Sequence, residues 1–310
     1  MITVVGETVV DMIRQPTGRL VSHPGGSPAN VAVALSRLGH PTALVTQLGD
    51  DPPGRMLLAH LRANGVHVTP GSVRPQGTTS VAHTRLDPDG QASYDFNITW
   101  DTIVDAALDP SSISGCLHTG SLAAVLEPGA GDVLALLQRA RSTSMISFDP
   151  NCRPSVTTDV ATTRQRIEML VATSDIVKVS VEDLAWLYPR RRYDAIAESW
   201  LRLGAVLVVV TLGDRGAWAS THHHRLLVDA HPVEVVDTIG AGDAFTAGML
   251  AAVAEKGLLT GSRRPDLAAA DRATLNEVVG HACQVAARTC ARQGADPPTR
   301  AELSQAATGC

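Results

Sequence analysis

Lysine is nearly missing: the 310 residues contain only Lys178 and Lys256, and neither follows a glycine. A Walker-type phosphate loop needs Gly-Lys-Ser/Thr, so that class of nucleotide enzyme is excluded. Aromatic residues are scarce at 3%, which leaves the core to Val, Leu, Ala and Ile. The five cysteines (Cys116, Cys152, Cys283, Cys290 and Cys310) are odd in number and include no Cys-x-x-Cys pair. Neither a zinc ribbon nor a disulfide framework is indicated, and a reducing compartment fits. No basic block stands out and the net charge is −5, which argues against nucleic acid or an anionic membrane as partner. The largest cationic cluster, Arg190-Arg191-Arg192, follows Pro189 and reads as a solvated turn. Apolar runs such as Ala205 to Val210 are too short to span a bilayer. Met1 to Gly6 reads as a strand rather than a signal segment, so a cytoplasmic location is expected.

What is present is an alternation. Ile2 to Gly6, Thr42 to Leu48, Cys116 to Leu122, Met145 to Phe148, Ile176 to Val179 and Ala205 to Leu212 read as strands. Val31 to Gly39, Gly54 to Asn64, Gly131 to Arg141, Thr163 to Ala172, Val181 to Leu187 and Ala282 to Arg292 read as helices. Strands alternating with helices predict an α/β fold with a mostly parallel central sheet flanked by helices. One exception interrupts it: Ser80 to Leu86 and Ala92 to Phe96, around Pro88-Asp89-Gly90, read as a β-hairpin. Such a piece suits a cover that excludes water from a small-ligand site. No repeat or linker is evident, so a single α/β domain over residues 1–310 with an inserted β cover is expected. Gly257 to Ala270 reads as a polar loop.

One stretch concentrates the chemistry. Val233 to Val236 is expected to end a strand, and Ala244 to Ala254 to form a helix. Between them, Asp237-Thr238-Ile239-Gly240-Ala241-Gly242-Asp243 makes a glycine turn whose free N–H groups form an anion site at the helix start. Asp243 puts a carboxylate where that anion would bind. It suits a base taking a proton from a hydroxyl about to attack a phosphoryl group; the alternative is a plain N-cap.

Other turns carry further polar groups. Pro24-Gly25-Gly26-Ser27-Pro28-Ala29-Asn30 opens the first helix, and Gly25 and Gly26 let a ligand approach the backbone. Asn30 offers donor and acceptors without an accompanying Lys or Arg, which matches hydroxyl-rich ligands better than phosphate. Asp11 lies just after a strand end, where ligand groups of open α/β sheets gather. Asp149-Pro150-Asn151-Cys152-Arg153 gathers a carboxylate, an amide and a guanidinium on one turn; Arg153 either clamps phosphate or pairs with Asp149. Glu182 and Asp183 either organise Mg²⁺ through water or merely complement a first helical turn. His222-His223-His224 reads as a solvated hairpin tip rather than a metal site.

Two motifs, Gly25-Gly26-Ser27-Pro28-Ala29-Asn30-Val31-Ala32 and Asp237-Thr238-Ile239-Gly240-Ala241-Gly242-Asp243-Ala244-Phe245, in this order and separation, resemble PfkB-type carbohydrate kinases of the ribokinase superfamily. Gly49-Asp50-Asp51-Pro52-Pro53-Gly54 and Thr211-Leu212-Gly213-Asp214-Arg215-Gly216 extend the match, which covers essentially the whole chain. The resemblance implies a ribokinase-like fold and an ATP- and Mg²⁺-dependent kinase for a small hydroxylated substrate. It implies Asp243 as catalytic base and the amides of Gly240, Ala241 and Gly242 as the anion hole. Asp11, Gly25, Gly26 and Asn30 would hold the sugar, with Asn151 and Arg153 near the sugar and phosphoryl group. Lys178, Ser180, Thr211, Gly213, Gly216 and Cys283 would lie along the nucleotide. Asp183 would act on Mg²⁺ indirectly, and Asp237 would help bind a monovalent cation such as K⁺. Segments of about 8–22 and 77–100 would form a lid, which in several relatives also makes a dimer contact.

Within the superfamily, the first motif, Phe148-Asp149-Pro150-Asn151-Cys152-Arg153 and Lys178-Val179-Ser180 are most similar to fructokinases. Fructose is the expected acceptor, with 2-keto-3-deoxygluconate, ribose or a nucleoside as alternatives because a few pocket side chains set that choice. The chain departs from the pattern at Ser180, where many relatives have Asn, at Asp183, where a Glu is usual, and at Cys283, where an Asn is usual. The lid, Tyr94-Asp95-Phe96-Asn97, lacks an arginine often present in fructokinases. A non-catalytic sensor on the same fold would be expected to lose the base or the glycine turn, and both are present. A nicotinamide oxidoreductase fails because the third glycine of Gly-x-Gly-x-x-Gly is replaced in Gly240-Ala241-Gly242-Asp243-Ala244-Phe245.

Overall fold

A computed structural model describes residues 1–14, 19–86, 92–103 and 115–307. The strands are β1 (Ile2–Val5), β2 (Val9–Arg14), β3 (Leu20–Gly25), β4 (Thr42–Val45), β5 (Leu48–Gly49), β6 (His67–Val68), β7 (Val73–Arg74), β8 (Val81–Leu86), β9 (Ala92–Asn97), β10 (Gly115–Gly120), β11 (Ser144–Asp149), β12 (Ile176–Ser180), β13 (Leu207–Thr211), β14 (Ala217–Ser220) and β15 (Arg225–Val228). Nine of them form the central sheet in the order β15-β14-β13-β12-β11-β10-β1-β4-β6. From β6 to β13 the pairings are parallel, and β13, β14 and β15 pair antiparallel at one edge. β1, β4 and β11 are buried along their whole length, as strands covered on both faces must be.

The helices are α1 (Ser27–Arg37), α2 (Pro52–Ala63), α3 (Gly129–Ala140), α4 (Val160–Thr173), α5 (Val181–Leu187), α6 (Tyr193–Leu203), α7 (Ala241–Glu255), α8 (Arg264–Ala268), α9 (Arg272–Cys290) and α10 (Arg300–Ala307). One core, formed by α1, α7 and α9, lies on one face of the sheet. A second, formed by α3, α4, α5 and α6, lies on the other. α7 is buried from Asp243 to Val253. A helix apolar on all sides belongs in the middle of a fold, and α7 sits between α1 and α9.

The sheet decides where ligands go. From β1 the chain builds outward through β4 and β6, then returns to build β10, β11, β12 and β13 on the other side. The switch point is therefore between β1 and β10, and the carboxyl ends of these strands face one crevice. A separate four-stranded sheet, β3-β2-β8-β9, rises from the end of β1. β8 and β9 form the expected hairpin and β2 lies parallel to β8. The Pro88-Asp89-Gly90 turn and the side chains of Tyr94, Asp95 and Phe96 lie outside the described residues.

Three expectations need correction. Val233 to Val236 is not a strand but an exposed irregular segment. Its end is bound elsewhere: the Val236 and Asp237 N–H groups donate to the Cys290 carbonyl at 2.8 and 3.1 Å, satisfying an end of α9 that would otherwise lack a partner. Gly257 to Ala270 is not merely a loop, because it contains α8. Arg264 there reaches the fully buried Asp175 and the carbonyl oxygens of Arg141 and Ser144. A buried carboxylate needs such a cation, and this one holds the segment in place. The last long helix starts at Arg272 rather than Ala282, with Asp271 as its cap, accepting from Thr274 N–H at 2.8 Å.

Candidate active site

Asp149, Ser180 and Thr211 end β11, β12 and β13, so three neighbouring strands present polar side chains at one edge. The amino end of α7 meets that edge. Gly240 begins the helix at φ 76°, a left-handed conformation that glycine adopts without strain. Among the described residues the Gly242 and Asp243 N–H groups have no partner, whereas the Ala241 N–H closes a turn on the Thr238 carbonyl at 3.2 Å. The Gly240 N–H likewise has no partner among the described residues, so the open donors at this helix start are those of Gly240, Gly242 and Asp243, with the Ala241 N–H engaged within the turn.

Asp243 is not an N-cap. Its side chain points across to the first turn of α1, where Ser27 Oγ donates to Oδ1 at 2.6 Å and Asn30 Nδ2 donates to Oδ2 at 2.8 Å. Burial raises its pKa above the ordinary carboxylate value, against these two hydrogen bonds and the Lys178 charge, which pull it down. The result is a buried carboxylate held in one orientation by two donors from α1.

The glycines before α1 have distinct causes. At Gly25 a Cβ would lie 2.1 Å from Asp11 Oδ2, so the bare α-carbon is what lets Asp11 sit against β3. Gly26 has φ 97° and would bring a Cβ within 2.7 Å of the Glu7 carbonyl. Burial raises the Asp11 carboxyl, while the charges of His23 and Arg153 act in the opposite direction. Asp11 and Arg153, far apart in sequence, are therefore near enough for one charge to act on the other.

The turn after β11 does not pair Asp149 with Arg153. Asp149 pairs with Lys178, Nζ to Oδ2 at 2.9 Å, both side chains buried. Thr246 Oγ1 of α7 also lies 3.2 Å from that oxygen. Arg153 instead folds onto its own turn, Nη1 donating to Asn151 Oδ1 at 2.6 Å. Asn151 has φ 38°, unusual for a non-glycine residue, and the Arg153 bond braces it. Lys178 lies directly behind the amino end of α7, its Nζ 3.1 Å from where a Cβ on Gly242 would be. Burial lowers the Lys178 pKa, but the Asp149 charge and hydrogen bond outweigh it and the net shift is upward.

A cleft of about 860 Å³ opens beside these groups. Asn151, Arg153, Lys178, Ser180, Asp183, Thr211, Gly213, Gly216, Ala241, Gly242 and Cys283 all line it. Gly213 faces open space, with φ 64° and no atom within 4 Å of a built Cβ. Gly216 is glycine for packing, since a Cβ there would strike the Val228 carbonyl at 2.0 Å. Ser180 and Asp183 form a capping box at the start of α5, and Asp183 Oδ1 also accepts from Cys152 N–H at 2.9 Å. Burial and then the Asp149 charge raise the Asp183 pKa. Burial pushes the Cys283 thiol up to about 11, so it lines the cleft as a neutral, mainly apolar group. Asp237 stands apart, tying two loops through the N–H groups of Ile239 (3.0 Å) and Gly294 (2.9 Å).

Ser27 and Thr246 touch this network with no role expected from the sequence, and Asp149 does so through Lys178 rather than through the expected Arg153. Ser27 lies inside a motif already singled out, and Thr246 follows Asp243 by three residues on one helix face. Asp149 ends a strand, the position that drew attention to Asp11.

Compared with known proteins, the chain matches the pfkB family carbohydrate kinases over residues 1–302. A fructokinase of Rhizobium leguminosarum bv. trifolii is 39% identical over 268 residues, 84% of this chain and 82% of that protein. A crystal structure of fructokinase with bound ATP from Xylella fastidiosa superposes with a TM-score of 0.88 at 27% identity, covering 98% of this chain and 97% of that one. A fructokinase from Vibrio cholerae O395 in fructose, ADP and calcium ion bound form superposes with a TM-score of 0.80 at 28% identity, again covering 98% and 97%. A match along nearly the whole chain, agreeing in sequence and fold, carries one conclusion: the chain belongs to the pfkB family of carbohydrate kinases.

Proposed function

We propose that this kinase transfers the γ-phosphoryl group of ATP to a hydroxyl of fructose. The observation that carries the reading is Asp243: a buried carboxylate of raised pKa at the open amino end of α7, fixed by Ser27 and Asn30. The names of the relatives support fructose as acceptor and ATP as donor.

Asp243 takes the proton of the sugar hydroxyl as its oxygen attacks the γ-phosphorus. The new O–P bond forms as the bond from that phosphorus to the β-phosphate oxygen breaks, and ADP leaves. The Gly242 and Asp243 amides, the helix terminus and Lys178 face the charge on the transferring group. Asp11, Gly25, Gly26 and Asn30 hold sugar hydroxyls, and Asn151 with Arg153 lies between sugar and nucleotide. Thr211, Gly213, Gly216, Ser180 and Cys283 line the path of the nucleotide.

The donors fit a divalent cation carried with the phosphates. Asp149 Oδ1 is buried without a partner, and the neighbouring Asp183 carboxylate lines the cleft. Among the described residues no three His, Cys, Asp or Glu side chains converge as a metal cage, and Mg²⁺ is usually held by phosphates, water and one or two carboxylates. When bound, Mg²⁺ would neutralise phosphate charge. Asp237, between the loops of Ile239 and Gly294, is the candidate for a monovalent cation. The β3-β2-β8-β9 sheet serves as the lid that excludes water and as the surface through which two copies pair.

The test is ADP release with MgATP across fructose, ribose, 2-keto-3-deoxygluconate, glucose and adenosine, with Asp243→Asn beside the wild type. Fructose-dependent turnover that vanishes in the variant is expected. Saturable sugar binding without turnover would favour a sensor, and turnover surviving in the variant would overturn Asp243 as base.

A further inference from the structure

A second concavity, about 480 Å³, lies away from the active site between α4, the end of α5 and the turn that follows. Tyr188 forms its floor. The ring is buried and its hydroxyl is committed, donating to Glu168 Oε1 at 2.6 Å and accepting from Trp200 Nε1 at 3.2 Å. Two guanidinium groups lie over this one ring: the central carbons of Arg164 and Arg191 are 5.2 and 5.3 Å from its centroid. Arg164 is anchored by its Nε, which donates to the Leu187 carbonyl at 2.7 Å. Among the described residues neither arginine has a carboxylate within ion-pair reach, whereas the adjacent Arg192 is paired with Asp194.

The turn itself holds Arg191 in place. Its N–H donates to the Tyr188 carbonyl at 3.1 Å, Pro189 is the first central residue, and Arg190 follows at φ 71°, a position that favours glycine. Two unpaired cations over one ring, both lining one concavity, repel, and a ligand of opposite charge would relieve that. Forked donors from two separate arginines, with the Gln165 amide on the same rim, suit a tetrahedral oxyanion better than a planar carboxylate. Glu168 is the acid at this rim, and the Tyr188 hydroxyl occupies one of its oxygens. The volume exceeds that of an oxyanion alone and leaves room for a small polar body against Pro189 and Ala161.

We propose that the cleft of Tyr188, Arg164 and Arg191 is a second binding site that takes the phosphate of a small phosphomonoester or free phosphate. Titration calorimetry with inorganic phosphate and with glucose 6-phosphate tests it on the wild type, Arg191→Ala, Arg191→Lys and Arg153→Ala. Arg191→Ala is expected to weaken binding at this site by about tenfold or more, and Arg191→Lys by less, since charge survives without the fork. Arg153→Ala, in the nucleotide cleft, is expected to leave it unchanged. Tighter binding of the sugar phosphate would identify a phosphomonoester as ligand; equal affinities would identify free phosphate. Loss in Arg153→Ala with retention in Arg191→Ala would overturn the site, as would the absence of saturable binding in the wild type. Kinase turnover without added phosphate is expected to be unchanged in Arg191→Ala, which separates this inference from the assignment of the active site.

Discussion

At the scale of single residues, the environment of Asp243 makes two predictions. In Asp243→Asn the Ser27 bond to Oδ1 survives, and Asn30 needs only to turn its amide over to accept from the new N–H group. Because burial raises the Asp243 pKa, ionising it costs stability as pH rises from the unfolded value through the folded one; the neutral variant escapes that cost. The variant is therefore expected to be at least as stable as the wild type at neutral pH while kcat falls by about 10²–10⁴. Paired thermal melts and turnover check both halves. Ser27→Ala removes a bond that favours the charged carboxylate, so the acid limb of the kcat/KM profile should move up by about one pH unit or more. Activity at high pH should change little. A profile that does not move would mean Ser27 does not set the ionisation of the base.

Elements bring the buried charges and the large cleft together. Lys178→Met leaves Asp149 buried without its cation, and a loss of about 3–5 kcal/mol is expected from denaturant titration. The double variant with Asp149→Asn should recover part of that loss. Packing of α7 on α9 offers a more selective probe. A Cβ on Gly248 would meet Val285 Cγ2 at 2.9 Å and the Ala282 α-carbon at 3.1 Å. Gly248→Ala gains helix propensity of about 1 kcal/mol and loses about 1–3 kcal/mol to overpacking, so stability should change modestly. The helices must shift apart, and both line the 860 Å³ cleft proposed for the nucleotide through Phe245 and Cys283. The KM for ATP should rise while the KM for sugar holds, a split that steady-state kinetics would reveal.

For the whole molecule, the acid response has a defined sign. His118 is buried in β10, facing Ser147 Oγ at 3.0 Å, and burial pushes its pKa down from 6.5 to about 4. Between those values the unfolded chain binds a proton that the folded chain does not, so this group's contribution falls as pH falls through that window. The full effect is about 3 kcal/mol by pH 4. Glu7, Asp11, Asp183 and Asp243 act oppositely, because their raised pKa values favour the folded state in acid. The difference between wild type and His118→Asn in urea midpoint, followed from pH 7 to pH 4, isolates the imidazole. Parallel curves would overturn its role.

Strand–helix alternation, the glycine turns and the carboxylate at the start of α7 were legible from residue order, because they rest on backbone preferences acting over a few neighbours. Val181 to Leu187 and the hairpin of β8 and β9 came out as read. Val233 to Val236 failed because β propensity says nothing about whether a strand edge is available, and here the Cys290 carbonyl took the N–H groups. The pairing of charges was likewise beyond reach. Arg153 is the cation nearest to Asp149 in sequence, yet Lys178 pairs with it because β11 and β12 are neighbours in the sheet. Ser27 and Asp243 meet only because α1 and α7 pack together. Sequence by itself determined most of the strands and helices and what chemistry they carry. Tertiary structure alone decided which buried groups satisfy one another, since in a low-dielectric interior a charge pairs with whatever the packing of distant segments brings within about 3 Å.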